Sequence, residues 1–190
     1  MKTKWLNCIS LETKSTELTQ TMLISHYYSL TSYHNQQHFK LLIKALKYHN
    51  RRDIGIYLGT ILGEKIKRTW TNNVWDILIP VPLHFTKKWE RGYNQSHYIA
   101  KGIAEILGIP IVENAIVRKK RTSTQTKLNT EKRKENMKGA FLITKPEIIQ
   151  NNRILLVDDV CTTGATILSL IEEMHPIKGV VIGVATICTA

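Results

Sequence analysis

Cysteine is scarce and scattered: Cys8, Cys161 and Cys188 are odd in number and form no CxxC pair. This spacing argues against a disulfide framework and against a structural zinc site built from cysteines alone. Acid is scarce too, with 15 Asp plus Glu against 27 Lys plus Arg and a formal net charge of +12. No apolar run approaches the roughly 18 residues that span a bilayer. The opening stretch is interrupted by Asn7, Ser10, Glu12 and Lys14, so no secretory signal is expected. A cytoplasmic, reduced globular protein is the expectation. Its 190 residues, 43% of them hydrophobic, suit one domain with a small appendage. The charge favours anionic partners: phosphorylated metabolites, nucleic acid or acidic surfaces.

The most informative stretch runs from Arg153 through four apolar residues to Asp158 and Asp159, then through Val160 and Cys161 to Thr162-Thr163-Gly164-Ala165-Thr166. Four apolar residues in a row predict a buried parallel strand ending at the acid pair. The spacing after the turn predicts a helix over 167–174. A helix N-terminus presents unpaired N–H groups beside the positive end of its dipole. A loop of small residues there can wrap a phosphate, with Gly164 permitting close approach and the threonines adding hydroxyl donors. Carboxylates are acceptors, so Asp158 and Asp159 suit the hydroxyls of a sugar. An acid pair before a hydroxyl-rich turn is also ordinary helix capping, the plainer alternative.

The remaining chain reads as alternating strands and helices. Residues 1–37 are expected to form an N-terminal appendage of short strands, with β-branched and aromatic content over 22–33. Apolar positions 39, 42, 43 and 46 mark one helix, and Ile54, Tyr57, Leu58, Ile61, Leu62 and Ile66 mark a second, packed on the sheet or forming a hood. A strand over 74–79 must stop at Pro80-Val81-Pro82. The following loop carries Lys87, Lys88 and Arg91. Gly92-Tyr93-Asn94-Gln95 then leads into a helix with Ile99, Ile103, Ile106 and Leu107 on one face. This is a second loop before a helix, with cations instead of carboxylates, and a second anion site is the natural expectation. Further strands are expected at 109–112, 115–117, 139–143 and 179–187. Between them, residues 119–138 hold eight basic side chains against Glu131 and Glu135, half of the chain's net charge. That stretch is expected to be a mobile loop or β-arm able to close as a lid.

The run from Leu155 to Thr166 resembles the phosphoribosyl pyrophosphate (PRPP) signature of type I phosphoribosyltransferases. Three further features narrow the resemblance. One is Asp76-Ile-Leu-Ile-Pro80-Val81-Pro82-Leu83-His84 followed by Glu90-Arg91-Gly92-Tyr93-Asn94-Gln95. A second is Arg118 through Gln125 to Arg133, Asn136, Gly139 and Phe141, and the third is Leu46-Lys47-Tyr48. Together they resemble the ComF/GntX family of phosphoribosyltransferase-like competence proteins from about residue 38 onward. The resemblance implies an α/β fold: a central, mostly parallel twisted sheet flanked by helices, as in type I phosphoribosyltransferases. Family members commonly open with a four-cysteine zinc module; only Cys8 lies in that region, so no zinc is expected.

The resemblance implies that Asp158 and Asp159 take the ribose hydroxyls and Thr162, Thr163, Gly164, Ala165 and Thr166 the 5-phosphate. Pro82, Lys88, Arg91, Gly92, Tyr93 and Asn94 would take pyrophosphate. Arg118, Arg121, Gln125 and Arg133 would belong to the lid. Arg91, Asp158 and Asp159 are the catalytic candidates. Mg²⁺ would arrive with PRPP, with help from Asp158 and Asp159 and no metal site of protein side chains alone.

Three functions follow from these readings. The first is phosphoribosyl transfer from PRPP to an acceptor. The second is single-stranded DNA handling during uptake, with Tyr27, Tyr28, Trp89 or Tyr93 stacking on bases and, by family resemblance, a competence helicase as partner. The third is a PRPP or nucleotide sensor without turnover. The resemblance also admits a homodimer.

Overall fold

A computed structural model describes residues 24–32, 37–69, 75–119 and 139–189. In chain order the elements are β1 (His26–Ser32), α1 (Gln37–Tyr48), α2 (Arg52–Thr69), β2 (Ile77–Pro80), α3 (Phe85–Arg91) and α4 (Gln95–Leu107). After these come β3 (Ile116–Arg118), β4 (Phe141–Ile143), α5 (Pro146–Ile149), β5 (Arg153–Cys161), α6 (Ala165–Met174) and β6 (Val181–Thr189). Four strands form a parallel sheet in the order β1-β6-β5-β2. The α/β class, with a parallel sheet and helices on both faces, is as expected.

Parallel sheets are buried on both faces, which is why their strands read as unbroken apolar runs. In β5, Ile154 and Leu156 pack with Ile167, Leu170, Ile171 and Met174 of α6. Leu155 and Val157 pack on the other face with Leu46 of α1, Leu58 and Leu62 of α2, and Ile99 and Ile103 of α4. The stripes on α1 and α4 therefore face the core, whereas Tyr57, counted on the apolar face of α2, is exposed. Helices α2 and α4 cross at small residues. A Cβ on Gly59 would lie 2.1 Å from the Ile99 carbonyl oxygen, and one on Gly102 would lie 2.1 Å from that of Ile56.

Several expectations are corrected. Residues 26–32 are not part of an appendage: β1 is the edge strand of the main sheet and pairs with β6 from His26↔Gly183 to Ser32↔Thr189. Residues 1–23 lie outside the described residues. The stretch 109–112 makes only a single bridge, Leu78↔Ile111, because Pro110 has no N–H for a ladder. Residues 139–143 do not re-enter the main sheet, since β4 pairs antiparallel with β3 in a separate two-stranded sheet. Residues 120–138, the bulk of the basic stretch, lie outside the described residues. The expected loop 83–91 is largely the helix α3, started by the His84 side chain accepting from Thr86 N–H and ended by Gly92 at φ 73°. Among the described residues no helix is long and apolar enough to cross a membrane.

Candidate functional site

Strand β5 does not end at the acid pair but continues to Cys161, paired with β6 as far as Cys161↔Thr189. Consecutive side chains on a strand point to opposite faces. Val157 and Val160 pack on the α1/α4 side, and Cys161 on the α6 side. The Asp159 N–H donates to Asp158 Oδ1 at 2.9 Å. Both carboxylates find partners on α1 and α4. Asp158 Oδ1 accepts from Ser96 Oγ at 3.0 Å, and Asp159 Oδ2 pairs with Lys47 Nζ at 2.9 Å.

Burial and the neighbouring Asp159 charge push the Asp158 carboxyl up to about 7, opposed by the Asp159 N–H, Lys47 and Ser96. In the unfolded chain an Asp titrates near 4, so folding favours the protonated form. That stabilisation is complete below the unfolded value and is lost as pH rises through the folded one. Asp158→Asn keeps an oxygen for Ser96 and Asp159 N–H but carries no charge. Its melting temperature is expected to match wild type at about pH 4 and to exceed it at about pH 8. Thermal unfolding at the two pH values checks this.

Lys47 and Arg118 are cations beside the acids, and Lys87 and Arg91 lie near them. Burial lowers the Lys47 ammonium's pKa, but the Asp159 carboxylate more than offsets this and its net shift is upward. Lys87 is shifted down, first by burial and then by the charges of Arg118, Arg91 and Lys47. Arg118 is shifted down by burial, with Asp158 opposing. Arg91 also lies over the Tyr48 ring, 5.4 Å from its centroid. Lys87 and Arg91, four residues apart, share one face of α3, and Lys87 lies near Lys47 and Arg118. Phe85 and Trp89 share the opposite face and are 72% and 88% exposed. Lys88 is exposed and apart from the cluster.

The Gly92–Gln95 motif works mainly as a frame. Tyr93 is buried, and its hydroxyl donates to the Leu46 carbonyl, pinning the backbone next to Lys47. The Arg52 guanidinium lies 5.0 Å from the Tyr93 ring centroid. Asn94 caps α4 by accepting from Ser96 N–H and donates to the Val81 carbonyl at 3.0 Å, which ties the loop after β2, with Pro82, to the helix. Gln95 is 1% exposed, and its Nε2 has no partner among the described residues, so a donor is left for a ligand or water.

The Thr162–Thr166 turn has the expected form. Gly164 sits at φ 73° as the N-cap of α6 and supplies no side-chain cap. Thr163 Oγ1 accepts from Ala165 N–H at 3.5 Å, a long contact that leaves the helix's first donors largely unclaimed.

The structure brings Asp158, Asp159, Arg91 and Arg118 together. Arg118, expected in the lid, is instead the last residue of β3, paired with Phe141. Arg121, Gln125 and Arg133 lie outside the described residues. Three proposed base-stacking tyrosines are otherwise engaged. Tyr28 and Tyr93 are buried, and the Tyr27 hydroxyl shares hydrogen bonds with Thr186 and Thr189. The sequence reading missed Lys47 and Ser96 as neighbours of the acids, and His84, whose ring Nε2 lies 3.2 Å from the Lys119 carbonyl.

Residues 94–190 match the phosphoribosyl transferase domain family. Competence protein F of Haemophilus influenzae is 33% identical over 165 residues, covering 85% of this chain and 67% of that protein. The DNA utilization protein YhgH of Salmonella typhimurium is 33% identical over 135 residues, covering 70% of this chain and 59% of that protein. This chain thus spans about three fifths to two thirds of these relatives' lengths. A solved purine phosphoribosyltransferase from Pyrococcus horikoshii superposes with a TM-score of 0.42 at 18% identity, covering 86% of this chain and 87% of that one.

Proposed function

This chain belongs to the phosphoribosyl transferase domain family, among the relatives of competence protein F, and on that premise we propose that it binds PRPP and transfers its phosphoribosyl group to an acceptor. The observation that carries this reading is an acid pair on β5 followed directly by a phosphate-type turn, with Lys47 paired to Asp159 and Lys87 and Arg91 near that lysine. Asp158 and Asp159 would accept the ribose hydroxyls, and the unclaimed N–H groups at the start of α6 would hold the 5-phosphate. Lys87 and Arg91 would face the diphosphate. The acceptor's lone pair forms the new bond to ribose C1 while the C1–O bond breaks and its electron pair leaves on pyrophosphate. Fixed cations are suited to stabilise that developing charge.

Among the described residues no group of three or more His, Cys, Asp or Glu side chains could hold a metal ion. Both Asp158 Oδ1 and Asp159 Oδ2 already have protein donors. The acid pair therefore does not fit a protein-held Mg²⁺, and Mg²⁺ would enter with the diphosphate. The test is pyrophosphate release from PRPP across a panel of amine and nucleobase acceptors. Acceptor-dependent release supports transfer. Saturable binding with no release for any acceptor makes the protein a PRPP or nucleotide sensor.

A second reading, single-stranded DNA binding, is favoured by one feature: the outward face of α3, where Phe85 and Trp89 are exposed on a helix that also presents Lys88. Base stacking on such a face is worth about 1–3 kcal/mol per base. The name DNA utilization protein, borne by one relative, agrees with it. Trp89→Ala is expected to weaken binding of an oligothymidylate about 10-fold, with affinity falling steeply as salt rises. A flat salt response with no effect of Trp89→Ala removes this reading.

A further inference from the structure

Lys47 lies outside residues 94–190, which match the family, and comes from α1 on the far side of the chain from β5. Its ammonium nevertheless sits 2.9 Å from Asp159 Oδ2, with the two side chains only 23% and 11% exposed. The placement is held from behind: Leu46 is fully buried, and the Tyr93 hydroxyl bonds its carbonyl. Lys47 and Arg118 interact with the acid pair, and Lys87 and Arg91 lie next to these two, so cations outnumber the carboxylates here. A divalent metal brought to the carboxylates would meet an excess of positive charge and an oxygen already engaged.

We propose that Lys47 is the resident cation of this acid pair, holding Asp159 in place as an acceptor so that a ribose 5-phosphate group binds without any divalent metal. This rests on the PRPP reading of the site and deepens it, since it divides the ligand in two. The ribose 5-phosphate end depends on Lys47, and only the diphosphate end brings Mg²⁺. An ammonium has three donors. One is committed to Asp159, and the others remain to bond ligand oxygens. Because α1 delivers the residue, a complete site requires α1 docked on the sheet.

The experiment is calorimetric titration of the full chain with ribose 5-phosphate, in EDTA and in millimolar Mg²⁺, for wild type, Lys47→Met and Lys47→Arg. Wild type is expected to bind with affinities that agree within about twofold in the two buffers. Lys47→Met is expected to bind at least about 10-fold more weakly in both, and Lys47→Arg to recover most of the loss, as expected for one charge-assisted contact. Circular dichroism melting of each variant separates loss of ligand from loss of fold. The wild-type comparison of the two buffers tests the proposal even if Lys47→Met does not fold. Wild-type binding that requires Mg²⁺ overturns the proposal, as does undiminished binding by folded Lys47→Met. If wild type binds PRPP with Mg²⁺ while either of those results holds, Lys47 alone has been misassigned. If wild type binds neither compound in either buffer, the PRPP reading fails and this proposal fails with it.

Discussion

Gly102→Ala protein is expected to melt about 6–12 °C below wild type, a loss of about 3 kcal/mol. Alanine favours a helix over glycine by about 0.5–1 kcal/mol, so propensity alone points the other way. Packing reverses the sign. The new Cβ would lie 2.1 Å from the Ile56 carbonyl oxygen and 2.5 Å from Thr60 N. Both are backbone atoms of α2, and no change of rotamer relieves the overlap. Helix α2 would have to move off α4, opening the core around Leu58, Leu62, Ile99 and Ile103. Gly59→Ala meets the same obstacle from the other helix, at the Ile99 carbonyl. Thermal unfolding followed at a helical wavelength checks both. A variant as stable as wild type would show that the helices do not approach this closely.

Asp159→Asn is expected to weaken PRPP binding at least about 100-fold, about 2.7 kcal/mol. The amide retains an acceptor oxygen but loses the charge that strengthens its hydrogen bonds to ribose hydroxyls. It also strands the Lys47 ammonium, so stability falls by about 1–3 kcal/mol. The two effects separate in a double variant. Lys47→Met/Asp159→Asn removes the stranded charge and is expected to recover most of the stability while leaving binding at least as weak as in Asp159→Asn. Calorimetry and thermal melts on the three proteins read both quantities. Binding of PRPP by Asp159→Asn within about threefold of wild type would remove the acid pair from the site.

The parts of this architecture carried by local patterns were legible from the chain itself. The apolar run before Asp158, Gly164 at the turn and the stripe through Ile99 and Ile103 each report a local backbone preference or a face to be buried, and each falls where expected. Strand β1 was not legible as part of the main sheet, because its Tyr, Ser and Thr content suits a strand without saying which edge it joins. Its partner β6 lies at the other end of the chain. Helix α3 misled for a related reason. Its aromatic side chains are exposed while Lys87 and Arg91 are partly buried, so the usual rule for buried faces reads it as a solvated loop. Tyr93 looked like a stacking residue, and only the tertiary fold shows it spent on the Leu46 carbonyl. Lys47 illustrates the limit most clearly. It is one lysine among several on an amphipathic helix, and its contact with Asp159 exists only once α1 has docked on the sheet.

In the proposed function, the carboxyl end of β5, the turn into α6 and the cations of α1 and α3 together form a PRPP site. Isothermal calorimetry of wild-type protein with PRPP and Mg²⁺ tests it most directly. The expected result is saturable binding at one site per chain, lost in Asp158→Asn/Asp159→Asn protein that still folds. No heat of binding from folded wild-type protein, or equal binding by the double variant, would contradict it.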